Sequence, residues 1–120
     1  MQIGTEWLVE AAGCREGALR DPVLLESLFA HIIADLGLQP LHAPAFHVFP
    51  APGGITGFVM LTESHLAIHT WPEHGVATLN LYCCRPRPDW PWRARLGELL
   101  GATDVRVREV DRAMAAELVR

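Results

Sequence analysis

Leu24, Leu25, Leu28, Phe29, Ile32, Ile33 and Leu36 recur at steps of three and four, the period of an α-helix with one buried face. Asp21-Pro22 supplies its N-cap and first helical residue, and Gly37 its C-cap. His31 falls off the stripe and is expected to face solvent. A helix of this kind needs a second layer to lie on, and the rest of the chain offers strands. Trp7 to Ala12 suits a first strand, stopped at Gly13. Leu41 to Phe49 is a second, Pro50 to Gly54 a turn, and Ile55 to Leu61 a third strand. His65 to His69 and Val76 to Cys83 make a further pair, joined through Trp71-Pro72-Glu73-His74-Gly75. Pro86, Pro88 and Asp89 lead into a second helix around Trp92 to Leu100, closed by Gly101. Asp104 to Val110 is a last strand, and the tail reads as a short helix. The order β-α-β-β-β-β-α-β predicts one α+β domain over residues 1–120. Its form is a two-layer α/β sandwich, with a mostly antiparallel sheet of about six strands and two helices on one face. The other face is then left for solvent, a groove or a partner.

Composition removes several function classes. Half of the 120 residues are hydrophobic and a fifth are charged, so the chain builds a core. A net charge of −4 argues against nucleic acid as the main partner. Arg85/Arg87 and Arg93/Arg95, the tightest arginine groups, read as a solvated rim. There is no lysine, which excludes chemistry on a lysine-held pyridoxal phosphate or a P-loop lysine. Amine chemistry through a carbonyl would require the chain to make that carbonyl itself. Three cysteines, two of them adjacent, do not form a disulfide framework and point to a reducing cytoplasm. Neither a signal segment nor an apolar run near about 20 residues is found, so no membrane association is expected.

Glu63 to Glu73 places a serine, two histidines and a carboxylate in one stretch, with Cys83-Cys84 close behind. Alternation along Val76 to Cys84 puts Ala77, Leu79, Leu81 and Cys83 on one face, and Thr78, Asn80, Tyr82 and Cys84 on the other. Cys83 thus belongs with the core, where a cysteine is usually inert, and its replacement should disturb no chemistry. Cys84 lies on the polar face. Leu66 and Ile68 oppose His65, Ala67 and His69 in the same way. Chance polar exposure is the alternative to a shared site. His65, His69 and His74 lack the helical spacing of a zinc enzyme and no CxxC knuckle is present, so no metal is expected. Ser64 is not in a G-x-S-x-G elbow, which weakens a hydrolase reading.

The run from Glu63 to Glu73 closely resembles the processing-site signature of prokaryotic S-adenosylmethionine decarboxylases, pyruvoyl enzymes made as proenzymes. The resemblance extends to Leu8-Val9-Glu10 with Gly13-Cys14, to Phe46-His47 and Phe49, and to a cysteine twenty positions after the serine. It implies self-cleavage between Glu63 and Ser64, giving a β chain of residues 1–63 and an α chain of 64–120. Ser64 would attack the Glu63 carbonyl to form an ester. His69 would remove the residue-64 α proton and expel the Glu63 carboxylate. Hydrolysis would leave a pyruvoyl group derived from Ser64, which forms a Schiff base with the substrate amine. Thr56 stands where the family has a serine that assists processing. Cys84 is the implied proton donor in decarboxylation, and a free cysteine of pKa about 8.5 is mostly a thiol at neutral pH. Glu73 would take the ribose hydroxyls, with Phe49, Trp71 and Glu10 completing the substrate contacts. The implied product, decarboxylated S-adenosylmethionine, is the aminopropyl donor for spermidine synthesis.

Ser64 and His69 are five apart, which on an ideal strand means opposite faces. A bulge or turn after Ser64 is therefore expected, or a freed terminus that swings across. Asn80, Val48 and Glu6 depart from the residues common in the family, aspartate, a basic residue and histidine respectively. Those departures keep two rivals open: a pyruvoyl decarboxylase of ornithine or arginine, and an uncleaved homologue serving as a regulatory subunit. The uncovered sheet face and the resemblance together predict a homodimer with sites at or near its interface.

Overall fold

The computed structural model describes residues 1–114, so the expected tail helix lies outside the described residues. The strands are β1 (Gln2–Ala12), β2 (Ala45–Val48), β3 (Ile55–Met60), β4 (Ser64–Trp71), β5 (Val76–Cys83) and β6 (Asp104–Ala113). They form one sheet in the order β2-β3-β4-β5-β1-β6, and every neighbouring pair is antiparallel. The long helices are α2 (Pro22–Leu36) and α3 (Trp92–Leu100); a single turn, α1 (Glu16–Leu19), precedes α2. The expected α+β sandwich is what the chain forms.

α2 begins as its sequence requires. The Asp21 carboxylate accepts the Val23 and Leu24 N–H groups at 3.0 and 3.3 Å, Pro22 opens the first turn, and Gly37 closes the helix at φ 64°. Its stripe buries Leu25, Leu28, Phe29 and Ile32 completely. His31 is half-buried rather than solvent-facing. The stripe packs on the sheet face made by Trp7, Val9, Leu66, Ile68, Leu79, Leu81 and Val59. At the β2 edge the Phe46 ring stands 5.4 Å from Phe29. A Cβ on Gly57 would run into that Phe46 ring, which is why a glycine stands opposite it.

The largest differences from the sequence reading are at the starts of β1 and β2; β4 and β6 also run one to three residues longer than expected and β3 ends one residue sooner. β1 starts at Gln2 because β6 pairs with it from Gln2 onward, while β5 joins on the other side only from Thr5. The Leu41–Phe49 run is a strand only over Ala45–Val48. Pro44 has no N–H to donate to the ladder, and beyond it the His42 imidazole, not a strand carbonyl, accepts the Met60 N–H at 3.1 Å. Among the described residues no helix is long and apolar enough to cross a membrane.

Thr70 ties the layers together at the end of β4. Its buried hydroxyl donates to the Leu19 carbonyl at 2.8 Å and accepts the Ile55 N–H at 2.9 Å. Thr70→Val keeps the shape and strands both backbone groups. At about 1–3 kcal/mol for each stranded group, thermal unfolding should fall by roughly 10 °C. An unchanged midpoint would mean that water replaces the hydroxyl.

Candidate active site

The face of the sheet away from the helices carries the chemistry. Register pairs line up His47, Thr56, His69, Thr78, Glu10 and Arg106 as one row across all six strands. Two rows along, at the other end of β4, lie Met60, His65, Tyr82, Glu6 and Val110. Phe58, Met60, Trp71 and Val110 are between 41% and 48% exposed on this face. Four large apolar side chains on one uncovered surface suggest that something covers it.

One group of site residues gathers around His69. Its Nδ1 is 3.1 Å from the Thr56 hydroxyl, directly across from it in the β3–β4 ladder. When Nδ1 carries the hydrogen and donates it to Thr56 Oγ1, Nε2 is left free to accept a proton. A 3-10 turn, Pro72–His74, ends β4 and turns Glu73 outward beside them. Phe49, Thr56, His69, Trp71 and Glu73 line one cavity of about 330 Å³. Phe49 is exposed there, not core. The structure therefore brings five of the sequence-predicted residues to one place.

The second group lies at the opposite end of β4. Ser64 is the first residue of the strand and pairs across from Cys83. The Glu63 carbonyl accepts the Cys84 N–H at 2.9 Å, and the Ser64 carbonyl accepts the Leu61 N–H at 2.9 Å. The Glu63 side chain is ion-paired with Arg85. As alternation predicts, Cys83 is buried and Cys84 exposed, and no cysteine is in a disulfide. The Cys84 thiol contacts the Tyr82 hydroxyl. Burial is the larger cause, and that contact the second, of a Tyr82 phenol held above its ordinary range.

The expected bulge after Ser64 is absent. β4 runs in unbroken register with both neighbours, because the ladder to β5 continues through Ser64. Ser64 and His69 therefore sit on opposite faces, about 17 Å apart along the strand at 3.4 Å per residue.

Three features escaped the sequence reading. Asn80 donates to Glu6 at 2.9 Å and, through its own carbonyl, holds His65 Nε2 at 3.1 Å. The His65 ring stacks between Phe58 and Tyr82, with centroids at 6.1 and 5.7 Å. The Asn80 hydrogen bond, with Arg112 at 2.8 Å, keeps the Glu6 carboxyl below its usual range against the opposing pull of burial. Glu10 is likewise engaged, since both its oxygens accept from Arg108 at 3.1 Å. These contacts join side chains of β1, β3, β4, β5 and β6, so no local motif could have revealed them in advance.

A family model described as S-adenosylmethionine decarboxylase matches residues 5–113. The "S-adenosylmethionine decarboxylase proenzyme" of Syntrophomonas wolfei is 37% identical over 114 residues, covering 93% of this chain and 88% of that protein. The protein of the same name from Caldicellulosiruptor saccharolyticus is 34% identical over 120 residues, covering 98% and 94%. The crystal structure of the adenosylmethionine decarboxylase from Aquifex aeolicus matches with a TM-score of 0.77 at 25% identity, covering 94% of this chain and 92% of that one.

Proposed function

The chain belongs to the S-adenosylmethionine decarboxylase family, and from that premise we propose that it decarboxylates S-adenosylmethionine with a pyruvoyl group made from its own Ser64. The observation that carries this reading is the grip on the Glu63–Ser64 peptide. Its carbonyl oxygen accepts the Cys84 N–H, so a donor already points at the atom that gains charge when Ser64 attacks. Ser64 Oγ bonds to the Glu63 carbonyl carbon, the peptide C–N bond breaks, and the hydroxyl proton passes to the freed amine. The donor set fits a serine-derived group at residue 64. His69 Nε2 serves as the base that takes the α proton, with Thr56 fixing the ring.

Once made, the pyruvoyl group supplies a ketone that binds the substrate amine and draws off the electrons left by carbon dioxide. The Cys84 thiol, exposed on the same end of the sheet, gives the proton to the substrate carbon. Glu73 accepts the ribose hydroxyls and Phe49 offers a ring face to adenine in the cavity that they share with Trp71. The Glu10 carboxylate is paired with Arg108, whose positive charge offsets part of its pull on the substrate cation.

The straight β4 ladder of one copy does not bring His69 to Ser64 across about 17 Å. A second copy can. Two sheets packed face to face about a two-fold axis that lies between them and crosses the strands oppose the Ser64 end of one to the His69 end of the other, so that the imidazole approaches the Ser64 backbone, whose α proton it takes, from the open face. Each site then takes Ser64 and Cys84 from one protomer and Thr56, His69 and Glu73 from its partner. The exposed apolar side chains on this face support such a homodimer. Three unpaired cysteines fit a reducing cytoplasm.

Fragment masses and substrate trapping test the reading. The wild type should separate on a denaturing gel into two pieces, each near half of 13.3 kDa, and the piece that begins at residue 64 should lack a free amino terminus. Borohydride should fix S-adenosylmethionine to that residue in preference to ornithine or arginine. Ser64→Ala should remain in one piece and trap nothing. An active wild type recovered uncleaved would defeat the proposal.

A further inference from the structure

We propose that Cys83, the buried member of the cysteine pair, is a positioning residue for self-processing: its thiol holds the Ser64 hydroxyl in place for attack on the Glu63 carbonyl. The proposal rests on the self-processing reading above. Alternation alone made Cys83 inert packing, but alternation takes no account of what lies opposite it. That neighbour is Ser64, its Cα partner in the β4–β5 ladder. Glu63 and Cys84 form the hydrogen-bonded pair just outside, through the 2.9 Å contact. Pairs alternate along an antiparallel ladder, so Ser64 and Cys83 are a non-hydrogen-bonded pair, the kind whose side chains stand closest.

Directly opposite side chains share a face. The Ser64 hydroxyl is therefore on the helix side, away from Cys84 and His69. There it meets a thiol that is 2% exposed. Burial pushes the Cys83 thiol up, and of the two influences that pull it back, Arg87 and then the hydroxyl of Ser64, the second is this contact. At neutral pH Cys83 is a neutral thiol. It takes no proton from Ser64; it selects one of the three rotamers about the serine Cα–Cβ bond.

Attack needs that selection. Oγ must approach the carbonyl carbon of the preceding residue, and a small misplacement costs heavily. In the step itself Oγ bonds to the Glu63 carbon, the C–N bond breaks, and the hydroxyl proton ends on nitrogen. Cys83 leaves the step unchanged. The vicinal cysteines thus hold the two reactants separately: Cys84 binds the electrophile's oxygen through its backbone, and Cys83 orients the nucleophile through its side chain.

Cleavage of freshly synthesised full-length chain, followed by fragment mass, tests this. Cys83→Val and Cys83→Ala should slow cleavage roughly tenfold to a hundredfold, while Cys83→Ser, which keeps a polar hydrogen, stays within a few-fold of wild type. Hydroxylamine identifies the step, because it cuts an ester but not a peptide. It should release fragments from His69→Ala, which stalls after the acyl shift, and should not speed Cys83→Val, which stalls before it. Thermal unfolding of the same substitutions in a Ser64→Ala chain separates slow chemistry from lost folding. Wild-type cleavage in the Val variant, equal slowing in the Ser and Val variants, or rescue of the Val variant by hydroxylamine would each overturn the proposal. A wild type that never cleaves would remove the self-processing reading, and this role with it.

Discussion

A Ser64→Ala chain and a His69→Ala chain, assembled into one dimer, should restore a cleavage that neither performs alone. The first homodimer has no nucleophile and the second no base. In the mixed dimer one site pairs Ser64 of the His69→Ala copy with His69 of the Ser64→Ala copy, and the other site has neither group. Only the His69→Ala chain should then be cut. With random association about half of those chains find the complementary partner, so about half should appear as fragments. The expectation follows from the unbroken β4 ladder, which leaves the two residues about 17 Å apart on opposite faces. A site complete within one copy predicts no fragments at all, however the chains are mixed. Native mass spectrometry of the mixture shows whether mixed dimers formed; verified mixed dimers without cleavage would refute the shared site.

The parts of this architecture that were legible were those written in local pattern. The Asp21 cap, the Pro22 start and the Gly37 stop bounded α2 to the residue. Alternation placed Cys83 and Cys84 on their proper faces. What could not be read was partnership across the sheet. β1 begins five residues earlier than its apolar run suggests, since β6 pairs with it from Gln2 and β5 from Thr5. The expected bulge after Ser64 came from assuming that residues of one motif must meet in one chain. Face parity was correct in that argument, and the ladder carries no bulge. The β4–β5 register was nearly within reach. Trp71 opposes Val76 across the short turn, and seven steps back along each strand bring Ser64 opposite Cys83. That count would have exposed the Ser64–Cys83 pair before any coordinates. The Asn80 link between His65 and Glu6 needed more, because Glu6 arrives from a strand distant in sequence.

Separating the two things that Cys84 does gives the other large effect. Its backbone N–H holds the Glu63 carbonyl, and its thiol stands exposed beside Tyr82. Cys84→Ala keeps the N–H, so cleavage should proceed nearly as in the wild type. Turnover should fall by about 10²–10⁴, the range for loss of a positioned proton donor. Cys84→Pro removes the N–H as well. The residue lies just past the end of β5, and an extended Cys83 before it is what proline prefers. The strand should therefore survive while the donor to the growing charge is lost. Cleavage should then slow by roughly 10²–10³, the cost of deleting one such donor. Fragment appearance and carbon dioxide release, measured on both variants, resolve the pair of roles. If Cys84→Ala blocks cleavage as strongly as Cys84→Pro, the thiol and not the amide is the group that processing requires. If Cys84→Ala is cut normally and still turns over at the wild-type rate, another residue delivers the proton, and the Tyr82 hydroxyl beside it is the next to replace.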